Sequence, residues 1–265
     1  IIEALRTAFE HSKGELITRM DSDDIMVKDK LSLLSQNLLE HGKGHIATGL
    51  VKYFSADTLG DGYKKYEKWL NQLIIKGINY NDIYKECVIP SPCWMIYRSD
   101  LDNCEAFRPN IYPEDYDLCF RFYQNNLKCI PCQEVLHYWR DSKSRTSRND
   151  PNYSDNNFLD LKLHYFLKLN YNKDRPLILW GAGKKGKKAA KILLQKSVPF
   201  FWLCNNKNKV GKVIYNQKML AVEDLSNFKK PQIIITISQI NAKADILNLL
   251  ESKQYKNMED YFFFC

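Results

Sequence analysis

The order of apolar and polar positions along the chain predicts an alternating α/β protein. Ile1, Leu5 and Phe9 share one face of a helix over residues 1–13, so the chain opens inside a helix. Leu16, Ile17 and Met20, with β-branched Thr18, read as a short strand over 16–20. A helix over about 28–41 follows, with Leu31, Leu34 and Leu38 on one side and Gly42 to close it. "HIATGLVKYF" at 45–54 is a strand, and "YKKYEKWLNQLI" is a helix. "CVIPSPCWMIYRSDL", apolar but broken by two prolines, is a loop leading into a strand. Pro113 precedes a helix whose first turn carries Glu114, Asp115 and Asp117, acids that the helix macrodipole favours there. A short strand, "KCIPC", comes before a polar loop, "LHYWRDSKSRTSR", and residues 157–170 form an amphipathic helix.

The pattern changes after "NKDRP" at 172–176, the best linker candidate. From there the chain reads β-α-β-x-β-α-β, through "LILW", "PFFWLC", "PQIIITIS" and "YFFFC". Such alternation calls for a parallel sheet with helices on its faces. Charge changes at the same place. Residues 1–174 hold 23 Lys and Arg against 25 Asp and Glu, a balance of −2, whereas residues 175–265 hold 16 against 6, a balance of +10. Two domains are therefore expected, 1–172 and 173–265. The basic second domain suits an anionic lipid surface or a phosphate-bearing ligand, although a lysine-rich solvated face would look the same. Nucleic acid is not an expected partner, because no recognised binding motif accompanies the lysines.

No apolar run approaches the ~20 residues of a membrane-spanning helix. Charges throughout the first twenty residues leave no signal-peptide pattern. The eight cysteines lack a disulfide-scaffold look in 265 residues, and the one CxxC, Cys129 and Cys132, has no second pair at zinc spacing. Reduced thiols and a cytoplasmic location, with peripheral contact to the inner face of the cell membrane, are expected.

Candidate chemistry begins at "GELITRMDSDDIMVKDKL". Asp21, Asp23 and Asp24 crowd one strand end, and like charges so placed repel unless something positive sits among them. Two readings stand. Asp24 or Asp29 could cap the helix beginning near Lys30, or the turn could hold a divalent cation through oxygen ligands.

Three clusters stand in order, "ITRMDSDD", "YPEDYDLCFR" and "HYWRDSKSRTSR". Together, over about residues 1–150, they resemble family 2 glycosyltransferases of the GT-A fold. The resemblance implies a partial GT-A nucleotide-diphospho-sugar transferase domain, followed here by a small Rossmann-like parallel α/β domain. It implies that Asp21 and Asp23 form a DxD motif holding Mg²⁺ or Mn²⁺ on the donor diphosphate, with Asp24 beside them. A hard cation with oxygen ligands suits a diphosphate leaving group as charge develops on it.

An inverting displacement also needs a base to deprotonate the incoming hydroxyl, and by resemblance that base is Asp115. Glu114 then positions the acceptor or the loop, and two adjacent acids push one pKa upward. His137 completes the metal shell or touches the diphosphate, or else packs beside Trp139. Arg140, Arg145 and Arg148 clamp phosphate oxygens, or form a solvated basic loop. Trp94 and Trp69 line an acceptor cleft or pack in the core. Family members begin with a strand-helix-strand stretch that binds base and ribose, so the resemblance implies roughly 60–80 further residues before Ile1 and an N-terminally incomplete domain.

At the other end "GAGKKG" sets Gly181, Gly183 and Gly186 as GxGxxG, after a strand and opening a helix, a possible second nucleotide site. The acid expected ~20 residues on to hold a ribose is absent, since Asn205 and Asn206 stand there. NAD(P) is therefore not expected. Lys184, Lys185 and Lys187 serve a phosphate or solvate the helix. The function expected is inverting transfer of a sugar from a nucleotide-sugar donor to a polysaccharide or lipid-linked acceptor in cell-surface glycan synthesis. Its rivals are a dinucleotide-binding oxidoreductase and a degenerate, non-catalytic binding module.

Overall fold

The computed structural model describes residues 1–56, 58–143, 145–153 and 158–265. It divides into two compact units, the first holding Ile1–Ile83 and Cys87–Asn156, the second Tyr84–Glu86 and Asn157–Cys265.

In the first unit the elements run α1 (Ile2–His11), β1 (Leu16–Thr18), β2 (Ile25–Met26), α2 (Lys30–His41), β3 (His45–Phe54), α3 (Asp61–Lys76), β4 (Trp94–Tyr97), α4 (Arg98–Asn103), α5 (Glu114–Gln124), β5 (Lys128–Arg140) and α6 (Thr146–Asn149). Five strands form a sheet in the order β1-β4-β3-β5-β2. β3 and β5 pair in parallel, and the other neighbours are antiparallel. Leu34 and Leu38 of α2, Leu70 and Ile74 of α3, and Val51, Tyr53, Leu136 and Trp139 of the sheet share one buried core. Each fully buried leucine there is worth about 1.5–3 kcal/mol of apolar transfer. α2 ends at Gly42, whose φ of 77° and adjoining turn favour a residue without Cβ.

The largest departure from the sequence pattern is β5. "LHYWR" is expected as loop, yet it continues the strand begun at Lys128, so that β5 carries 13 residues. Its far half is paired on both sides, by β2 and by β3, which satisfies the backbone groups a loop would have left to water. The β3–β5 register slips between Gly49 and Val51, where Leu136 occupies the place of a side chain on Gly49: a Cβ there would lie 2.5 Å from Leu136 Cδ1. Beyond the slip His137, Tyr138, Trp139 and Arg140 lie opposite Val51, Lys52, Tyr53 and Phe54.

The second unit comprises α7 (Leu159–Leu169), β6 (Leu177–Trp180), α8 (Lys184–Gln195), β7 (Phe201–Leu203), β8 (Val213–Ile214), β9 (Gln217–Leu220), β10 (Gln232–Ile235), α9 (Ile240–Ser252) and β11 (Tyr261–Phe263). Position 157, where the pattern starts its helix, lies outside the described residues. The strand order is β11-β10-β6-β7-β9-β8, parallel apart from the β8–β9 hairpin, which the sequence pattern leaves as an unassigned stretch. α7 packs in this unit, with Phe166 against Phe262 and Tyr84, while Tyr84 stacks on Phe264 at 5.2 Å. The chain thus divides at 156/157, ahead of the 172/173 expected from charge and linker composition.

Candidate active site

Asp21, Asp23 and Asp24 occupy the turn after β1, closed by a hydrogen bond from Asp24 N to Asp21 O at 3.3 Å. They do not cap α2. Asp29 stands at the N-cap position without a side-chain cap bond, and Asp24 is committed elsewhere. Its Oδ1 accepts from Arg140 N at 2.7 Å and its Oδ2 meets His137 Nε2 at 2.8 Å, with the side chain 1% exposed. Asp24 therefore ties the acidic turn to the end of β5. Asp23 is exposed and Asp21 half-buried, so these two carboxylates face solvent.

Asp21 is tied to α5 through one residue. Arg19 is 8% exposed, and its Nε donates to Asp21 Oδ1 while Nη1 donates to Glu114 Oε1, each at 3.1 Å. Burial by itself would lower the Arg19 pKa, but the charges of Asp21, Glu114 and Asp115 outweigh it and raise it above the ordinary value. Glu114 accepts a further bond from the Tyr153 hydroxyl. Burial, then Glu114, pushes that phenol far above its usual range, so Tyr153 remains a donor. With both oxygens held, Glu114 is a fixed strut. Asp115, next on the first turn of α5, accepts from Tyr116 N at 2.8 Å and lines the cleft. Asp117 turns inward to Arg121 Nε at 2.8 Å and is 1% exposed.

A cleft of about 590 Å³ lies among these groups, lined by Asp21, Asp23, Glu114, Asp115, Arg140 and Arg145, with Ala4, Leu5 and Ala8 of α1 on an apolar wall. Arg140 is anchored by its Nε to Asp23 O and lies over the Phe54 ring at 4.5 Å. Arg145 sits over Trp139 at 5.2 Å, and Trp139 in turn stacks on Tyr53 at 5.0 Å. Arg145 Nη1 is buried without a hydrogen-bond partner among the described residues.

Other expected residues fall elsewhere. Arg148 does not line the cleft; Nη2 donates to both oxygens of Asp141 at 2.7 and 2.9 Å, and its guanidinium covers Tyr63. His137 is fully buried, with Nε2 on Asp24 and Nδ1 3.1 Å from Lys30 Nζ, so neither ring nitrogen is left for a metal. Lys30 is itself fully buried, donates to Pro92 O at 2.6 Å, and has its pKa lowered by desolvation. Trp69 packs partly buried on the core and donates to Asp82 at 2.7 Å, and Trp94 is 3% exposed. Arg19, Lys30 and Tyr153 escape a reading of the sequence. Arg19 alone had a local signal, as a cation two positions before Asp21.

Among the described residues no group of three or more His, Cys, Asp or Glu side chains is placed to hold a metal. Two carboxylates at an open cleft still fit a hard cation such as Mg²⁺, which keeps waters and takes one or two carboxylates plus substrate phosphates. All eight cysteines are free, and no helix of the described residues is long and apolar enough to cross a membrane.

Comparison with known proteins adds the following. Residues 1–104 match the family described as glycosyl transferase family 2. The chain is 28% identical over 153 residues to the UDP-Glc:alpha-D-GlcNAc-diphosphoundecaprenol beta-1,3-glucosyltransferase WfgD of Escherichia coli, a match covering 55% of this chain and 53% of that protein. The chain therefore spans about half the length of the curated relative it matches. Among solved structures, a crystal structure of RSP, a Rex-family repressor, is similar at 19% identity over 39% of this chain and 58% of that one, with a TM-score of 0.28, too slight a likeness to bear on fold or function.

Proposed function

We propose, for a chain whose residues 1–104 match the glycosyl transferase family 2 model, that the first unit transfers a sugar with inversion from a nucleotide-sugar donor to a glycan or lipid-linked acceptor. The observation that carries the reading is the bridge from Arg19 to both Asp21 and Glu114, which brings the acidic turn and the start of α5 to one cleft. Asp21 and Asp23 would hold a divalent cation, which when bound supplies charge neutralisation at the donor diphosphate. Arg145, with a buried nitrogen lacking a partner among the described residues, and Arg140 supply donors for phosphate oxygens. Asp115 accepts the proton of the incoming hydroxyl, while Glu114, fixed by Arg19 and Tyr153, keeps the first turn of α5 in place. A lipid-linked acceptor agrees with the acceptor named for the E. coli relative.

Calorimetric titration of Mn²⁺ in the presence of UDP tests the cation site. Binding that Asp23→Ala weakens at least tenfold is expected, and equal affinity in the variant would remove Asp21 and Asp23 from that role. For a lipid-linked acceptor, the +10 balance of residues 175–265 supports peripheral contact with the inner face of the cell membrane. Sedimentation with anionic vesicles should carry the chain down at low salt and release it at 0.5 M, about the ionic strength where screening acts within a few ångströms. Absence of co-sedimentation at low salt would exclude that contact.

A further inference from the structure

Neither the cleft nor the family match accounts for a second cavity. It measures about 430 Å³, lies wholly in the second unit, and is lined by Gly181, Gly183, Asn205, Lys209, Thr236 and Gln239 among others. These residues follow the carboxyl ends of β6, β7 and β10, and β6 is the strand at which chain order reverses across the sheet. Ligands of open parallel sheets bind at such a switch point, and the volume suits a small molecule.

The three glycines of the turn are not equivalent. Gly181 has φ of +126°, and a Cβ on it would come 2.5 Å from Thr236 Oγ1. A Cβ on Gly186 would come 2.0 Å from Gly181 O, so Gly181 is demanded by its backbone and by Thr236, and Gly186 by the close packing of α8 on the turn. Gly183 is different. Its φ is −80°, which any residue adopts, and a Cβ there would touch nothing within 4 Å. Neither backbone nor packing asks for glycine at 183. What its missing side chain leaves open is the cavity.

The polar lining consists mostly of donors. α8 starts after Gly183 and α9 after Gln239, and their first intrahelical bonds are Lys187 N to Gly183 O and Lys243 N to Gln239 O. The amides of 184–186 and 240–242 thus have no acceptor within their helices, and both helix starts border the cavity. Lys209 Nζ reaches Ala182 O at 2.9 Å and brings its charge to the glycine turn. Asn205 carries the decisive detail. Trp180 Nε1 lies 2.7 Å from Asn205 Oδ1, and an indole nitrogen can only donate. The amide is therefore fixed with its oxygen inward, and Nδ2, a donor, is what remains. A carboxylate at this place would accept the hydroxyls of a ribose, whereas the amide nitrogen cannot. Among the described residues no Asp or Glu lines the cavity.

We propose that this cavity is a second ligand site, taking a phosphate-bearing small molecule of about nucleotide size through Asn205 Nδ2, Lys209 and the first-turn amides of α8 and α9, without a divalent cation. Phosphoryl oxygens accept from all of these donors and need no acceptor in return.

Two substitutions test it with little effect on the fold. Gly183→Val fills the open space, and Asn205→Asp keeps the acceptor for Trp180 while replacing the outward donor by a charged oxygen. The full chain is titrated calorimetrically with ADP and with inorganic pyrophosphate in EDTA, which silences the cation-dependent cleft, and each variant's melting temperature is recorded. Both probes should bind the unchanged chain. Each variant should lose at least tenfold in affinity while melting within a degree or two of the parent. Failure of both probes to bind at millimolar concentration would overturn the proposal, as would equal binding by the parent and both folded variants.

Discussion

Arg19 holds two carboxylates, Asp21 two positions away and Glu114 95 positions away in the chain, and a buried cation so used cannot be removed without leaving charge unpaired. Breaking a buried pair from one side costs about 3–5 kcal/mol, most of it from the group left behind. Arg19→Met should therefore lower unfolding stability by about that amount. Adding Glu114→Gln to Arg19→Met should restore part of the loss, because the stranded negative charge is gone. Urea denaturation of parent, single and double variants reads both effects. A cost below ~1 kcal/mol, the range of an exposed pair, or no recovery in the double variant, would show that the bridge is not what holds the site. The sequence shows Asp21, Asp23 and Asp115 plainly, since acids cluster there in number. It hides the assignment of Asp24 and Glu114 to structural bonds, because nothing local in "DSDD" or "PEDYD" says which acid will meet a buried cation.

At the scale of elements, what was legible follows from periodicity. β3 runs over the residues its apolar pattern marks, 45–54, and α5 starts directly after Pro113 as its acidic first turn implies. The far half of β5 was not legible. Gln133 and Glu134 interrupt the apolar run, and the register slip opposite Gly49 depends on a partner strand some 80 residues away. That slip sets where Trp139 and Arg140 stand beside the acidic turn. Placing a methyl at Gly49 forces Leu136, with Cβ 3.1 Å and Cγ 2.7 Å from the new atom, out of its place. Gly49→Ala should cost about 1–3 kcal/mol, the usual penalty for overpacking. The expected sign is a lower urea midpoint with an unchanged slope. A midpoint equal to that of the parent would mean that Leu136 moves freely and the slip is not fixed by packing.

For the whole molecule, the change in charge near residue 175 announces a second unit, but not that α7 and Tyr84–Glu86 fold with it. Those contacts are aromatic and distant in sequence, and no local pattern carries them. Tyr153, which fixes Glu114 from 39 residues further along the chain, is hidden for the same reason. The two units offer different chemistry. The first presents carboxylates that suit a cation and a proton transfer, and the second presents donors and, among the described residues, no carboxylate at its cavity. The central claim is that the first unit transfers a sugar with Asp115 as base, and turnover of the Asp115→Asn chain tests it most directly. The full chain is supplied with Mn²⁺, a set of nucleotide-sugars and a diphospholipid-linked sugar acceptor, and nucleoside diphosphate release is followed. The account predicts release by the parent with one of the donors, and a fall of about 10²–10⁴ in Asp115→Asn with donor affinity unchanged. Near-normal turnover in Asp115→Asn, or no release from any donor, would contradict it.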